Sequence, residues 1–236
     1  MEPLFISIQG SYKKLEVALH RGQRSLESVH IESIRASADT LSLLEQLLRR
    51  HNITIQDLSF MAIDSGPGAF TSLRVMITTV NAIAFATNLL IIGIDGLDAL
   101  AQQVFMQMQE KTADTAIMPL LNAYSNDVYV ASYNLCQNNQ SWYLTEPVDK
   151  GCYKIDELIH RLNHEPPAKK IIVVGNALAL HQKALENITE VALECDSDSS
   201  LATCSTEQIA HSALRLWEQG YRGVKKISPL YLKQSI

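Results

Sequence analysis

Leu58-Ser-Phe-Met-Ala-Ile-Asp-Ser-Gly-Pro-Gly-Ala-Phe-Thr-Ser-Leu-Arg74 carries the change of period that decides the fold. Its first half, Leu58 to Ile63, is apolar enough for a central strand. Gly66-Pro67-Gly68 reads as a turn, and from about Thr71 to Thr87 the spacing is helical. A strand passing through a glycine-rich turn into a helix is an α/β unit. Free N–H groups at such a helix start can hold an anion. The loop is not a Walker A cradle, because no Gly-Lys-Ser/Thr follows. The plainer reading is a strand-to-helix turn with Thr71 as cap.

Upstream lie two apolar strands, Leu4 to Gln9 and Leu15 to Leu19, and a more polar third from about Ser25 to Ile31. Turn signals at Gly10-Ser11 and Arg21-Gly22 separate them. Ser37 caps a helix to about Arg50, with Leu41, Leu43, Leu44, Leu47 and Leu48 within roughly 160° of arc. Downstream come a strand, Leu89 to Ile94, and a helix from about Asp95 to Met108. The order is strand, strand, strand, helix, strand, helix. After a polar stretch it recurs: strands at Ala116 to Asn122, Asp127 to Tyr133 and Ser141 to Leu144, a helix at Ile155 to Leu162, a strand at Lys170 to Gly175, and a helix at Leu178 to Ile188. Two copies of one topology point to duplicated lobes. The expected fold class is α/β, with two ribonuclease H-like lobes as in the actin-like and sugar-kinase-like ATPases. The first covers residues 1–108; the second, degenerate, covers 109–236 with a C-terminal tail.

Composition bounds the function. The 236 residues are 47% hydrophobic and 19% charged, an ordinary globular balance. A formal charge of −5 argues against unaided binding to nucleic acid phosphates. No apolar run reaches the length of a membrane span; the longest, Ala82 to Ile94, is broken by Thr87, Asn88 and Gly93. Met1-Glu2-Pro3 does not begin like a signal peptide, so the expected location is the cytoplasm. Cys136, Cys152, Cys195 and Cys204 are far apart, contain no CxxC pair, and read as reduced thiols.

In a two-lobed ATPase of this kind the turn after each lobe's first strand presents an aspartate that handles magnesium near the phosphates. This chain has Gln9 and Asn122 at those positions. Both are amides and carry no charge to offset a metal. Two polar residues at strand ends are the plain alternative; the pairing favours loss of metal-dependent catalysis, with no cofactor and no metal expected. His160 and His164 share a helical face but lie at a frayed helix end, without the Glu of a metalloprotease motif, so chance spacing accounts for them. The remaining carboxylates read as solvated surface charge.

Residues Leu58 to Arg74 resemble the signature of the TsaB (YeaZ) family, which takes part in threonylcarbamoyladenosine synthesis on tRNA. The likeness continues at Ile91-Ile92-Gly93-Ile94, Leu121-Asn122-Ala123, Val174-Gly175-Asn176-Ala177 and Pro229-Leu230-Tyr231-Leu232-Lys233. The family usually has Asp-Thr-Ser at Gln9-Gly10-Ser11, Asp-Ala at Asn122-Ala123, and His-Ser-Glu at Ala36-Ser37-Ala38. The resemblance implies a non-catalytic partner that dimerises with a TsaD-like catalytic subunit during modification of a tRNA adenosine next to the anticodon. It also implies a TsaE-like ATPase reached through the complex, and tRNA contact only through the complex; a homodimer of the isolated chain is left open. A small ATP-dependent kinase or carbamoyltransferase using the interlobe cleft is the competing reading.

The helix from Thr71 adds a docking expectation. At 100° per residue Leu73, Met76, Ile77, Val80, Ile83 and Ala84 make one bulky face. Val75, Thr78, Thr79, Ala82 and Ala86 make a smaller one opposite. The bulky face is expected to cover the lobe's own sheet. The small face, with Leu43 and Leu47 of the neighbouring helix, is expected to meet the partner.

Overall fold

The computed structural model describes residues 2–12, 14–32, 39–139 and 141–233. The chain forms two compact units. In the first, strands β1 (Leu4–Gln9), β2 (Lys14–Arg21), β3 (Arg24–Glu32), β4 (Phe60–Asp64) and β5 (Ile91–Ile94) form one sheet in the order β3-β2-β1-β4-β5. β1–β2 and β2–β3 are antiparallel hairpins, whereas β1–β4 and β4–β5 are parallel. The connection between β1 and β4 runs through β2, β3 and helix α1 (Thr40–Arg50); helix α2 (Phe70–Thr87) joins the parallel pair β4 and β5. Helix α3 (Gly96–Gln107) follows β5, and the division between the units falls inside it.

β1 is central and every residue in it is buried. Strand alternation sends Leu4, Ile6 and Ile8 into a core shared with Leu44, Leu47 and Leu48 of α1 and with Leu73, Met76, Ile77, Val80, Ile83 and Ala84 of α2. The buried face of α2 is therefore the bulky face read from its period. The other side of β1 presents Phe5 and Ser7. Phe5 stacks between His20 (5.1 Å) and Phe60 (4.4 Å), and Phe60 stacks on Trp217 (4.8 Å). Trp217 belongs to helix α6 (Thr206–Glu218), which packs over β1, β2, β4 and β5.

That helix corrects the expected division at residue 108. Residues 205–231 belong to the first unit, which also holds 1–99, because α6 buries Ile209, Ala210, Ala213 and Leu214 and places Trp217 against the first sheet. The start of α6 is marked locally: Ser205 caps it by accepting from the Gln208 N–H. The expected cap of α1, Ser37, lies outside the described residues. The expected cap of α2, Thr71, is displaced: α2 begins at Phe70 with Ala69 at its N-cap and no side-chain cap bond.

In the second unit, strands β6 (Thr115–Asn122), β7 (Asp127–Gln137), β8 (Trp142–Leu144), β9 (Asp149–Lys154), β10 (Lys170–Val174) and β11 (Ala192–Cys195) form the order β11-β10-β6-β7-β8, with β9 also on β7. The topology repeats the first sheet, with a divided third strand. β9 pairs with the first half of β7 and β8 with its last three residues. The expected strand at 141–144 is only one piece of it. Helices α4 (Ile155–His164) and α5 (Leu178–Leu185) pack together over Met118, Leu120, Val128, Val130, Ile171 and Val173. At the end of β10, Gly175 takes φ of +115°, and a Cβ there would lie 2.3 Å from the Leu120 carbonyl oxygen. Only glycine fits that crossing.

No run of membrane length was expected, yet α2 meets the length and composition of a spanning helix, at 18 residues and mean hydropathy 1.2. Six of its side chains are instead committed to the sheet's core.

Beyond α6 the chain runs as an irregular strap along the first unit. Val224 makes a two-way bridge with Ile91, and the Leu230 N–H donates to the Ser65 carbonyl (2.8 Å). Asn81 clamps the middle: its amide donates to the Ile227 carbonyl (2.9 Å) and its oxygen accepts from the Ile227 N–H (3.0 Å). Replacing Asn81 by alanine is expected to leave both backbone groups of Ile227 without that partner and to cost about 1–3 kcal/mol locally. Limited trypsin digestion should then cut at Lys225 and Lys226 faster than in the wild type; an unchanged cleavage rate would show that the other anchors suffice.

Candidate functional site

The Gly66-Pro67-Gly68 turn leaves the end of β4 and lies against the turn after β1. The Ala69 N–H donates to the Ser11 carbonyl (2.7 Å), and a Cβ on Gly68 would come within 2.6 Å of that same oxygen. Asp64, the last residue of β4, sits beneath the turn with 1% of its surface exposed. Its Oδ1 accepts from the Gly66 N–H (2.8 Å), and the Ser11 hydroxyl and Gln9 amide also donate to the carboxylate. Gln9 donates to the Ser11 hydroxyl oxygen as well (3.0 Å). Burial pushes the Asp64 carboxyl up to about 6, because these hydrogen bonds only partly offset desolvation and Asp95 adds a repulsion.

Gln9 is thus buried and spends its amide on the turn. Asn122 ends β6 in the other unit and is used similarly: its side-chain oxygen accepts from the Tyr124 N–H (2.8 Å), and its own N–H donates to Asn176 (2.8 Å). The side-chain bond opens a turn in which Tyr124, Ser125 and Asn126 all have positive φ. Each amide stabilises the loop that follows its strand. Asp64 overturns the reading that the remaining carboxylates are solvated. Its only sequence signal was its place at the end of an apolar strand.

His160 and His164 stack at 4.1 Å with nearly parallel rings, and His164 Nδ1 bonds to the His160 carbonyl (2.7 Å). Parallel rings direct their in-plane lone pairs side by side, a poor arrangement for holding one ion. Among the described residues no group of three or more His, Cys, Asp or Glu is placed to hold a metal.

A different feature stands out on the first unit. α1, the residues after it and α2 enclose an apolar groove of about 700 Å³. Leu41, Leu44, Leu48, Ile53 and Ile55 line one side, with Thr79, Ala82, Ile83 and Ala86 on the other. Arg49, its lining cation, is paired with Glu45 (2.7 Å). Ala82 and Ala86 are exposed, Val75 and Thr78 are exposed farther along α2, and Phe85 is 89% exposed. The small face expected at a partner thus faces outward from its own unit. Leu47 is corrected: it is fully buried beneath α1, and Leu43 packs partly against the same core. Leu41, 56% exposed, takes the outward position, because α1 turns its Leu44–Leu47–Leu48 stripe onto the sheet. Leu41 and Phe85 were missed as interface candidates; their helical positions carried the signal.

Comparison with known proteins adds identity to this geometry. The family model described as "TsaD: tRNA N6-adenosine threonylcarbamoyltransferase" matches residues 31–215. The tRNA threonylcarbamoyladenosine biosynthesis protein TsaB of Buchnera aphidicola (from Schizaphis graminum) is 30% identical over 58% of this chain and 60% of its own length. TsaB of Escherichia coli is 26% identical over 42% of this chain and 41% of its own. In sequence, the chain spans between about two fifths and three fifths of these curated relatives. YeaZ from Pseudomonas aeruginosa superposes with a TM-score of 0.73 at 21% identity, covering 98% of this chain and all of that one. A polyphosphate/ATP-glucomannokinase from Arthrobacter superposes at 0.53 and 10% identity, covering 91% and 99%. The two sheets have the architecture of the actin-like and sugar-kinase-like ATPases, built from two ribonuclease H-like units.

Proposed function

The chain belongs to the tRNA N6-adenosine threonylcarbamoyltransferase family, and from that premise we propose that it is a non-catalytic subunit of the machinery that makes threonylcarbamoyladenosine in tRNA. In this reading it works in the cytoplasm by dimerising with a TsaD-type catalytic subunit. A TsaE-type ATPase and the tRNA, modified next to its anticodon, join through the resulting complex.

The observation that carries the reading is the outward apolar face of α2 beside the groove. A helix of this kind normally turns a polar face to solvent. Here the exposed side of α2 offers alanines, threonines, Val75 and Phe85, with Arg74 its single charge. Small side chains let a second helix approach to about 8–10 Å between axes. Gln9 and Asn122 support the non-catalytic part, because their amides are spent on neighbouring loops and bring no charge for a metal-bound phosphate.

Co-purification of the full chain with the TsaD-type protein of the same cell tests the reading directly; a chain that never associates with it removes the proposal. The isolated chain is expected to hydrolyse no ATP with magnesium. Magnesium-dependent turnover that is lost on mutating Gln9 or Asn122 would make it an enzyme.

A further inference from the structure

The strap beyond α6 gathers positive charge that the docking face does not use. From Gln219 to the end of the chain there are four basic residues and no Asp or Glu, in a protein of net charge −5. Lys233 is paired with Asp127, and Arg222 covers the Trp217 ring at 4.3 Å. Lys225 and Lys226 are exposed, and among the described residues neither amine has a hydrogen-bond or ion-pair partner. They directly precede Ile227, which Asn81 clamps to α2.

Farther along the same contact the strap brings Tyr231 to α2. The Arg74 Nε donates to the Tyr231 hydroxyl (2.7 Å), and its guanidinium lies 4.0 Å over the Phe70 ring. The two rings are 6.0 Å apart and about half-exposed, Phe70 at 57% and Tyr231 at 48%. The terminal nitrogens of Arg74 have no partner among the described residues. At 100° per residue Phe70, Arg74 and Asn81 fall within about 40° of arc, whereas the groove residues Thr79, Ala82 and Ala86 lie about 80–140° round from Arg74. The groove therefore lies on another flank of the helix, while Phe85 and Thr78 of the outward face, about 20° and 40° from Arg74, border the strip.

We infer that Lys225, Lys226, Arg74, Phe70 and Tyr231 form a contact strip for single-stranded RNA, with the cations on phosphates and the rings stacked against unpaired bases. The inference rests on the tRNA-modification reading for its biological ligand. Cations alone would suit an acidic protein segment equally well. Half-exposed rings interleaved with cations favour a nucleic acid, since every base offers a face to stack on. Three cations make only a modest site. The strip therefore acts as an auxiliary contact, consistent with weak unaided tRNA binding by a chain of negative net charge.

The test uses the full chain and a labelled 15-nucleotide single-stranded RNA of mixed sequence, followed by fluorescence anisotropy over a salt series. Three phosphate contacts should give a slope of log affinity against log salt near −2, at roughly 0.7 per contact. Lys225→Gln with Lys226→Gln, both at exposed positions, should flatten it to about −0.7. Phe70→Leu should weaken binding at least about fivefold and leave the slope alone. No RNA binding by the wild type at low salt, or an unchanged slope in the double lysine variant, overturns the strip. If that variant instead loses the TsaD-type subunit in co-purification, the strip is a protein interface and the inference fails. RNA binding that persists in a chain unable to associate with the TsaD-type subunit would remove the accessory-subunit reading and leave the strip standing.

Discussion

Ala82→Glu is expected to prevent association with the TsaD-type subunit while the chain itself stays folded. Ala82 is exposed in the isolated chain, so a glutamate there remains solvated and should change stability by no more than about 0.5 kcal/mol. In a docked complex the same carboxylate would be stripped of water beside Leu41, Leu44, Leu48, Ile53 and Ile55. Arg49, the one cation lining the groove, is already held by Glu45. An unpaired charge buried in this way costs about 3–5 kcal/mol, which is a loss of affinity of roughly 100-fold or more. Calorimetric titration with the partner, together with thermal melts of the free variant, reads both halves. Normal binding would place the interface elsewhere, and an unfolded variant would mean that the small face of α2 is needed by its own unit.

Asp64→Asn is expected to stabilise the isolated chain at pH 7, by at most about 3 kcal/mol. The Asp64 carboxyl titrates at about 6 in the folded chain and near 3.8 in the unfolded one. Between those values the folded state holds more protons, so this group's contribution falls as pH rises through the window, and its full cost is present above pH 6. Asparagine can still accept from the Gly66 N–H and carries no charge to desolvate. Its advantage should disappear near pH 4, where the native aspartic acid is already protonated. His20 acts in the opposite sense. Burial against Phe5, with a repulsion from His211, pushes its imidazole down to about 4 from 6.5. Its contribution is therefore complete above pH 6.5 and is lost as pH falls toward 4. The two slopes oppose each other over nearly the same range, so Asp64→Asn should expose an acid-side loss of stability that the wild type masks. Urea denaturation at pH 7, 5.5 and 4 measures this; a variant less stable than wild type at pH 7 would show that the hydrogen bonds to the Asp64 carboxylate outweigh its desolvation.

Within each unit, much of the architecture was legible because it depends on local period. Short apolar runs bounded by turn signals marked β1 and β2, and the glycine-rich turn after Asp64 marked the passage into α2. The six bulky residues of α2 picked out at 100° per residue are the six that the structure buries. The outward flank of α2 was legible to the same depth: Ala82 and Ala86 share a face by arithmetic alone, and that face is exposed. Leu47 failed because a leucine stripe on an 11-residue helix looks alike wherever it points; the sheet beneath α1 claimed Leu47 and left Leu41 at the groove.

What the residues fix by themselves is therefore the identity of each strand and helix and the side chains that share its faces, since these follow from backbone geometry over a few residues. Pairing and burial across long separations came only with the tertiary structure. The third strand of the second sheet is shared between β8 and β9 because β7 is long enough to pair with both. α6 returns from residue 206 to cover a sheet begun at residue 4, and no local pattern names the sheet on which an amphipathic helix settles. Asp64 reads as one more carboxylate until Gln9, Ser11 and Gly66 close over it. The same holds for Tyr231, whose contact with Arg74 spans 157 residues. Such contacts depend on how packed elements exclude water and satisfy one another's polar groups, which is a property of the assembled fold.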